Sequence, residues 1–477
     1  MQYHQIRLLA CFAFIILLFQ SCVKDEPYAL SDSGTSALRD SNQDGRDDRG
    51  SSRLVHLESD IAMAWMDLFL EVERYAAGMR PNASARAIAY IHLAAYETGL
   101  PAMPDFQSNQ DRLSGLNIQR PKGSQHINWE IALNTSYAAT MRHFLLNLDP
   151  SLTPKIDDLE NNLLSQLNSN TSPQDLEASI DWGAKVAQAV IAYSQTDTEA
   201  ESQVLDPQPL SYEPPTGAGY WTYSAEQERA LFPYWEKVRS FIVAPEQPTA
   251  IPPIPYSEDP NSEYYQQMQE VYESNNNAKK DDGEDLWIAE FWSDDVENLT
   301  FSPPARQVSI ARQLIDQFDL NLEEALHLNV KLGFALNDAA VSAWKYKYEF
   351  MVMRPNVFIH EFIDPNYQTN LYRLIPWPNP TFPSYPSGHS CFASAAAGVF
   401  IDFLGNEVNF TDRSHEGRTE FRGAPRTFIT LEALAEENAF SRIPLGVHMR
   451  MDCSEGIRLG YEISDAVNNH RLKRRKG

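Results

Sequence analysis

The chain has 477 residues, 43% of them hydrophobic and 11% aromatic, with a formal net charge of −26. That is ample for a large buried core. So acidic a surface repels nucleic acid and anionic lipid, which excludes both as ligands and makes any cluster of Lys and Arg informative.

Residues 1–22 read as a targeting segment. Arg7 precedes an apolar run, LLACFAFIILLF (8–19), too short to span a bilayer comfortably. The Ser21-Cys22 pair that follows resembles a bacterial lipoprotein signal, and CVKDE (22–26) resembles the acidic tag of surface-exposed lipoproteins. The resemblance implies an exported protein: an outer-membrane lipoprotein, surface-exposed or periplasmic, touching the membrane only through a lipid anchor at Cys22. Residues 23–53 are polar and aperiodic, as a flexible tether is. Within them Asp40–Asp48 has the spacing of a Ca²⁺ loop, but Ser51 stands where the bidentate Glu belongs, so Ca²⁺ is not expected there.

From residue 54 onward apolar residues recur at helical spacing. The periodicity predicts helices over 54–78, 83–100, 128–148, 154–168, 174–195, 262–274, 301–317, 322–350, 388–404, 428–439 and 453–469. The Pro-, Tyr- and Trp-rich stretch 200–258 reads as a long ordered loop. The predicted fold is all-α: two packed helical bundles over 54–470, with one site between helices and a motif core at 340–470. Cys391 and Cys453 fall in motif segments, as two buried thiols or a disulfide.

Three segments carry chemistry. WKYKYEFMVMRP (344–355) spaces Lys347 and Arg354 by seven, two turns of one helix face, with Pro355 as terminator. SYPSGH (384–389) puts the Ser387 hydroxyl, the Gly388 N–H and the His389 imidazole at a helix start, where unpaired N–H groups favour an anion. SRIPLGVHMRMD (441–452) offers Arg442, His448 and, four residues on, Asp452, a carboxylate able to orient the ring. Three cations, a hydroxyl, an N–H and two histidines suit a tetrahedral oxyanion.

The order K-x6-R-P, P-S-G-H, S-R-x5-H-x3-D resembles the signature of vanadium-dependent haloperoxidases and the type 2 phosphatidic acid phosphatase superfamily. Lys347, Arg354, Pro355, Pro386, Ser387, Gly388, His389, Ser441, Arg442, His448 and Asp452 carry it. Chain length, and RAIAYIHLAAYETGL (86–100) and IAEFWSDD (288–295), lean toward the haloperoxidases. The resemblance implies a vanadate cofactor bonded by His448, the metal ligand, with Asp452 orienting that ring. Lys347, Arg354, Ser387, Gly388, His389 and Arg442 surround the oxygens. His389, Lys347 and Asp452 are the implied catalytic residues: His389 takes a proton from hydrogen peroxide, Lys347 polarises the peroxide, and a halide, iodide or bromide, leaves as hypohalous acid. Trp344 and Phe382 match halide-pocket positions; algal bromoperoxidases carry His at the second. Asp294 is placed as a support for Arg442. The signature does not exclude a phosphatase with His448 as nucleophile and His389 protonating the leaving alcohol. A silent surface lipoprotein would show a broken motif, and none is broken here.

Overall fold

The computed structural model describes residues 53–119, 126–223, 228–244, 247–281, 283–374 and 380–474. The signal, Cys22 and the Asp40–Asp48 pattern lie outside the described residues. The first bundle comprises α1 (Asp60–Glu73), α2 (Asn82–Gly99), α3 (Trp129–Phe144), α4 (Pro154–Leu167) and α5 (Pro173–Gln195), followed by the short α6 (Thr198–Leu205). Next come α7 (Glu263–Asp281), α8 (Glu284–Phe291), α9 (Pro303–Gln317), α10 (Leu322–Phe350) and α11 (Pro355–Phe362). The chain closes with α12 (Gly388–Leu404), a hairpin of β1 (Glu407–Asp412) and β2 (Arg426–Thr430), then α13 (Leu431–Phe440), α14 (Arg442–Leu445) and α15 (Arg450–Asn469). The all-α expectation holds. The antiparallel hairpin pairs Phe410 with Phe428 and Asp412 with Arg426, and β1 and β2 are the named strands among the described residues.

Local chemistry sets the helix ends. Asn128, Ser172, Ser302 and Thr430 each accept a backbone N–H three residues on, and Pro opens α4, α5, α9 and α11 where its missing N–H costs nothing. Asn321 and Glu324 form a reciprocal capping box that starts α10. This long helix is apolar nearly all round because it is the shared element: α2 packs on one side of it, α12 and α15 on the other. One continuous core therefore runs through both bundles. Helices α12 and α15 approach closely at Gly460, where a Cβ would stand 2.4 Å from the Cys391 carbonyl oxygen.

Three expectations need correction. The helix predicted from 428 starts at 431, because 426–430 pairs as β2. The loop predicted over 200–258 begins as α6; its later part is anchored by buried Asp338 of α10, which accepts the N–H groups of Phe241, Ile242 and Val243 at 2.7, 2.8 and 2.9 Å. Lys347 and Arg354 do not share a helix face. Helix α10 ends at Phe350, Met351 takes a left-handed φ of 52°, and Arg354 is the extended residue before α11. Pro355 opens that helix rather than closing the previous one.

Candidate active site

The ends of α10, α12 and α15 meet with the loops before them. Gly388, His389, Trp344, Phe382, Arg442 and His448 line one cavity of about 530 Å³. Lys347, Arg354 and Ser387 stand buried around it. The three sequence segments thus converge on one place.

His448 has a defined tautomer. Its Nδ1 lies 2.9 Å from Asp452 Oδ2, an acceptor, and its Nε2 lies 3.2 Å from Arg354 Nη1, a donor. The proton therefore sits on Nδ1, and Nε2 keeps its lone pair. Burial, then Arg354 and Lys347, push the imidazole well below its ordinary range, so the ring is neutral at pH 7. The same Asp452 oxygen accepts from Ser384 Oγ at 2.5 Å and from the Met449 N–H at 3.1 Å, which caps α15. His448 itself precedes that helix. The motif reading did not include Ser384, although its hydroxyl lies three residues before Ser387.

The cations are held by backbone. Lys347 Nζ donates to the carbonyls of Pro383, Ser384 and Pro386 at 3.0, 2.9 and 2.6 Å. Burial and Arg354 pull its pKa well down, yet three acceptors call for three protons, so the carbonyl cage favours the ammonium. Arg354 donates to the Phe382 and Val447 carbonyls at 2.9 and 3.1 Å. Burial lowers it to about 9, still charged at neutral pH. Arg442 Nη1 donates to the Trp292 carbonyl at 3.0 Å, while its buried Nε has no partner. Lys347 and Arg354 thus supply charge behind the wall, and of these three cations Arg442 is the one that lines the cavity.

Ser387 caps α12 by accepting from Ser390 N at 3.3 Å, leaving its own hydroxyl proton to donate. Gly388 begins the helix, where the N–H has no intrahelical acceptor. A Cβ there would stand 2.8 Å from the Trp344 ring. Trp344 and Phe382 pack at 4.9 Å between ring centroids, tilted by 47°, and Lys347 and Arg354 lie over the Phe382 face at 5.1 and 4.9 Å.

His389 Nε2 lies 3.3 Å from Asp294 Oδ2, without hydrogen-bond alignment. Burial and Arg442 bring His389 down to about 4, so it is a free base at neutral pH. Asp294 sits beside this histidine rather than in contact with Arg442. Its other oxygen faces Arg306 at 3.6 Å and His415 at 3.8 Å. Burial pushes that carboxyl up, but Arg306 and the two histidines outweigh it and keep it ionised. Arg306 and His415 lie outside the three motifs, and nothing in their local sequence marks them. Cys391 and Cys453 are buried and free, so the open question resolves as two thiols.

Among the described residues no group of three or more His, Cys, Asp or Glu is placed to hold a bare metal ion. The donor set is instead three cations, one imidazole lone pair and an unpartnered guanidinium N–H, which fits an oxyanion such as vanadate or phosphate.

Fold and site together give a helical protein with one cavity whose donor set suits an oxyanion. Residues 327–477 match the family model of the VCPO second helical-bundle domain. The chain is 25% identical over 215 residues to the vanadium chloroperoxidase of Curvularia inaequalis, covering 34% of this chain and 35% of that protein. It is 35% identical over 95 residues to the vanadium-dependent bromoperoxidase of Ascophyllum nodosum, covering 18% and 17%. The matches thus span about a third or less of these curated relatives. Among solved structures, a bacterial vanadium-dependent iodoperoxidase superposes with a TM-score of 0.77 at 24% identity, covering 88% of this chain and 99% of that one. A holo bacterial vanadium-dependent chloroperoxidase gives 0.64 at 16%, covering 87% and 97%. The fold is that of the vanadium-dependent haloperoxidases, and the resemblance carried by the three motifs stands.

Proposed function

We propose that the protein is a vanadium-dependent haloperoxidase, using hydrogen peroxide to oxidise iodide or bromide to hypohalous acid. The observation that carries this is His448: neutral, oriented by Asp452, with its Nε2 lone pair kept among buried cations. His448 would hold vanadate, with Lys347, Arg354 and Arg442 compensating its charge and Ser387 and the Gly388 N–H donating to it. When bound, vanadate supplies Lewis-acid activation of peroxide. His389, a free base at neutral pH, takes the proton of incoming hydrogen peroxide, and Asp294 stabilises the imidazolium that results. Asp452 keeps the His448 proton on Nδ1. Lys347 holds positive charge near the reacting oxygens. Trp344 and Phe382 keep water from the halide side. The likeness to an iodoperoxidase supports iodide as the first halide to test. The sequence of residues 1–53 supports export and tethering at Cys22.

The test is triiodide formation from iodide and hydrogen peroxide, with and without orthovanadate, on protein stripped of metal. Vanadate-dependent turnover that vanishes in His448→Ala supports the proposal. Turnover indifferent to vanadate in folded protein refutes it and turns the same His448 lone pair toward phosphate-ester hydrolysis.

A further inference from the structure

Asp294 is a fully buried carboxylate with no hydrogen-bond partner on either oxygen among the described residues, yet three side chains crowd it. His389 Nε2 stands 3.3 Å from Oδ2, while Arg306 Nη1 at 3.6 Å and His415 Nε2 at 3.8 Å face Oδ1. Acid–base groups are commonly this far apart before the reacting groups assemble, and they tighten then. Arg306 is fixed: it is fully buried, its guanidinium lies 4.5 Å from both the Phe291 and the Trp292 ring centres, and its Nη2 donates to the Phe291 carbonyl at 3.3 Å and faces Asp412 Oδ2 at 3.1 Å. His415 is as firmly caged. Its ring stacks on Phe301 at 5.5 Å and meets Phe291 and Phe421 edge-on, and a Cβ on Gly423 would stand 2.9 Å from the His415 Cβ. Both its ring nitrogens lack a hydrogen-bond partner. The hairpin delivers it: Asp412 ends β1 and meets Arg306, and His415 follows three residues later to meet Asp294. A buried imidazole with two unused nitrogens costs stability, and its place against this carboxylate calls for a reason.

We infer that His415 is a positioning residue for the His389 base: with Arg306 it occupies Asp294 Oδ1, leaves only Oδ2 to His389, and so keeps the His389 proton on Nε2. The inference rests on the peroxidase reading for its reaction. An ionised Oδ2 at 3.3 Å repels a lone pair and attracts an N–H, so Nε2 carries the proton and Nδ1 keeps the lone pair. Nδ1 is then the nitrogen left for the cavity that His389 lines. In the reaction Nδ1 takes one proton from hydrogen peroxide, the O–H electron pair stays on the hydroperoxide, and Asp294 faces the Nε2–H of the imidazolium. His415 serves as a neutral donor. Burial, then Arg306, lowers it to about 4 against the pull of Asp294 and Asp412. Around the two rings Asp294 and Asp412 are balanced by Arg306 and Arg442. A cation in place of His415 would draw Asp294 away from His389. An apolar ring there would leave Oδ1 to Arg306 alone and the carboxylate freer to turn.

Nitrogen-15 NMR of the histidine rings tests this on the full chain at pH 7, without vanadate or peroxide, with the His389 signals identified by their loss in His389→Gln. The expected parent spectrum shows His389 protonated on Nε2. A parent His389 protonated on Nδ1 overturns the inference without any variant. His415→Phe keeps a ring in the aromatic cage but removes the N–H, and it should turn His389 into a mixture of the two tautomers. His415→Gln, whose amide can still donate to Oδ1, should restore the Nε2–H form. A well-placed general base contributes about 10²–10⁴-fold, so vanadate-dependent triiodide formation should fall by at least about tenfold in His415→Phe and recover in His415→Gln. An unchanged His389 tautomer, or undiminished turnover, in His415→Phe at a parent-like melting temperature overturns the inference. Because the ring spectra use neither vanadate nor peroxide, a wrong tautomer leaves the peroxidase reading standing, and failure of vanadate-dependent turnover in the parent leaves the tautomer result standing.

Discussion

Asp452→Asn should damage the site through a proton on the wrong nitrogen. The Asp452 oxygen that faces His448 Nδ1 also accepts from Ser384 and from the Met449 N–H. An asparagine oxygen can keep the last two bonds, but three donors then compete for one neutral acceptor. If the amide NH₂ turns to His448 instead, the ring moves its proton to Nε2 and loses the lone pair that faces Arg354. Restoring the native tautomer forfeits a hydrogen bond to a charged group, about 1.5–3 kcal/mol. At 1.4 kcal/mol per decade that is about 10- to 150-fold, similar to the 10- to 100-fold loss on removing the partner of a metal-bound histidine. Orthovanadate affinity by calorimetry and triiodide formation at saturating peroxide should both fall by at least about tenfold. Circular dichroism controls for folding. A folded variant within twofold of the parent in both assays would refute the claim that Asp452 sets the His448 tautomer.

Other outcomes follow from burial and packing. Gly388→Ala puts a Cβ 2.8 Å from the rigid Trp344 ring; overpacking of about 1–3 kcal/mol should lower the urea midpoint, and vanadate binding should weaken with it. Acid should destabilise the protein early. Burial lowers His92 and His327 to about 3, and His389 and His415 to about 4, from an ordinary 6.5. In that window the unfolded chain binds protons that the folded chain refuses. Stability is therefore complete above about pH 6.5 and declines as pH falls toward 4, which melting curves across pH 4–8 would show; a flat profile contradicts neutral buried histidines. Cys391 and Cys453 are fully enclosed, and burial pushes both thiols up, Cys391 to about 12. Neither should react with a thiol reagent in the native protein, and both should in urea.

The site was legible because its chemistry is concentrated in three short segments whose residue types are rare together. Lys347, His389, Arg442 and His448 needed no fold to be singled out. The fold decided what each could touch. Met351 leaves α10 at a positive φ, and no sequence rule assigns a methionine there, so the same-face reading of Lys347 and Arg354 failed. Pro355 was ambiguous between a helix end and a first helical residue, and it proved to be the latter. Ser384, Arg306, His415 and Arg80 act at sequence separations no local pattern encodes. Arg80 meets Asp295 of the connection between α8 and α9, while Ser384 meets Asp452 across 68 residues.

The way the cations are held has a consequence for stability. Apart from the Arg354 contact with His448 Nε2, Lys347, Arg354 and Arg442 donate to backbone carbonyls, and Asp452 and Asp294 each face a histidine. Carbonyls satisfy donors without cancelling charge. The His448 end of the cavity therefore keeps a positive excess inside a chain of net charge −26, and an anion entering there should stabilise the fold by mass action. A tetrahedral oxyanion at about 100 times its Kd adds about 2.7 kcal/mol. Orthovanadate and phosphate should both raise the melting temperature, and Lys347→Met should shrink that rise even though its own baseline is lower, because three carbonyls lose their donors. A rise of equal size in parent and variant would show that the Lys347 charge does not reach the anion, and its place in the site would then be structural.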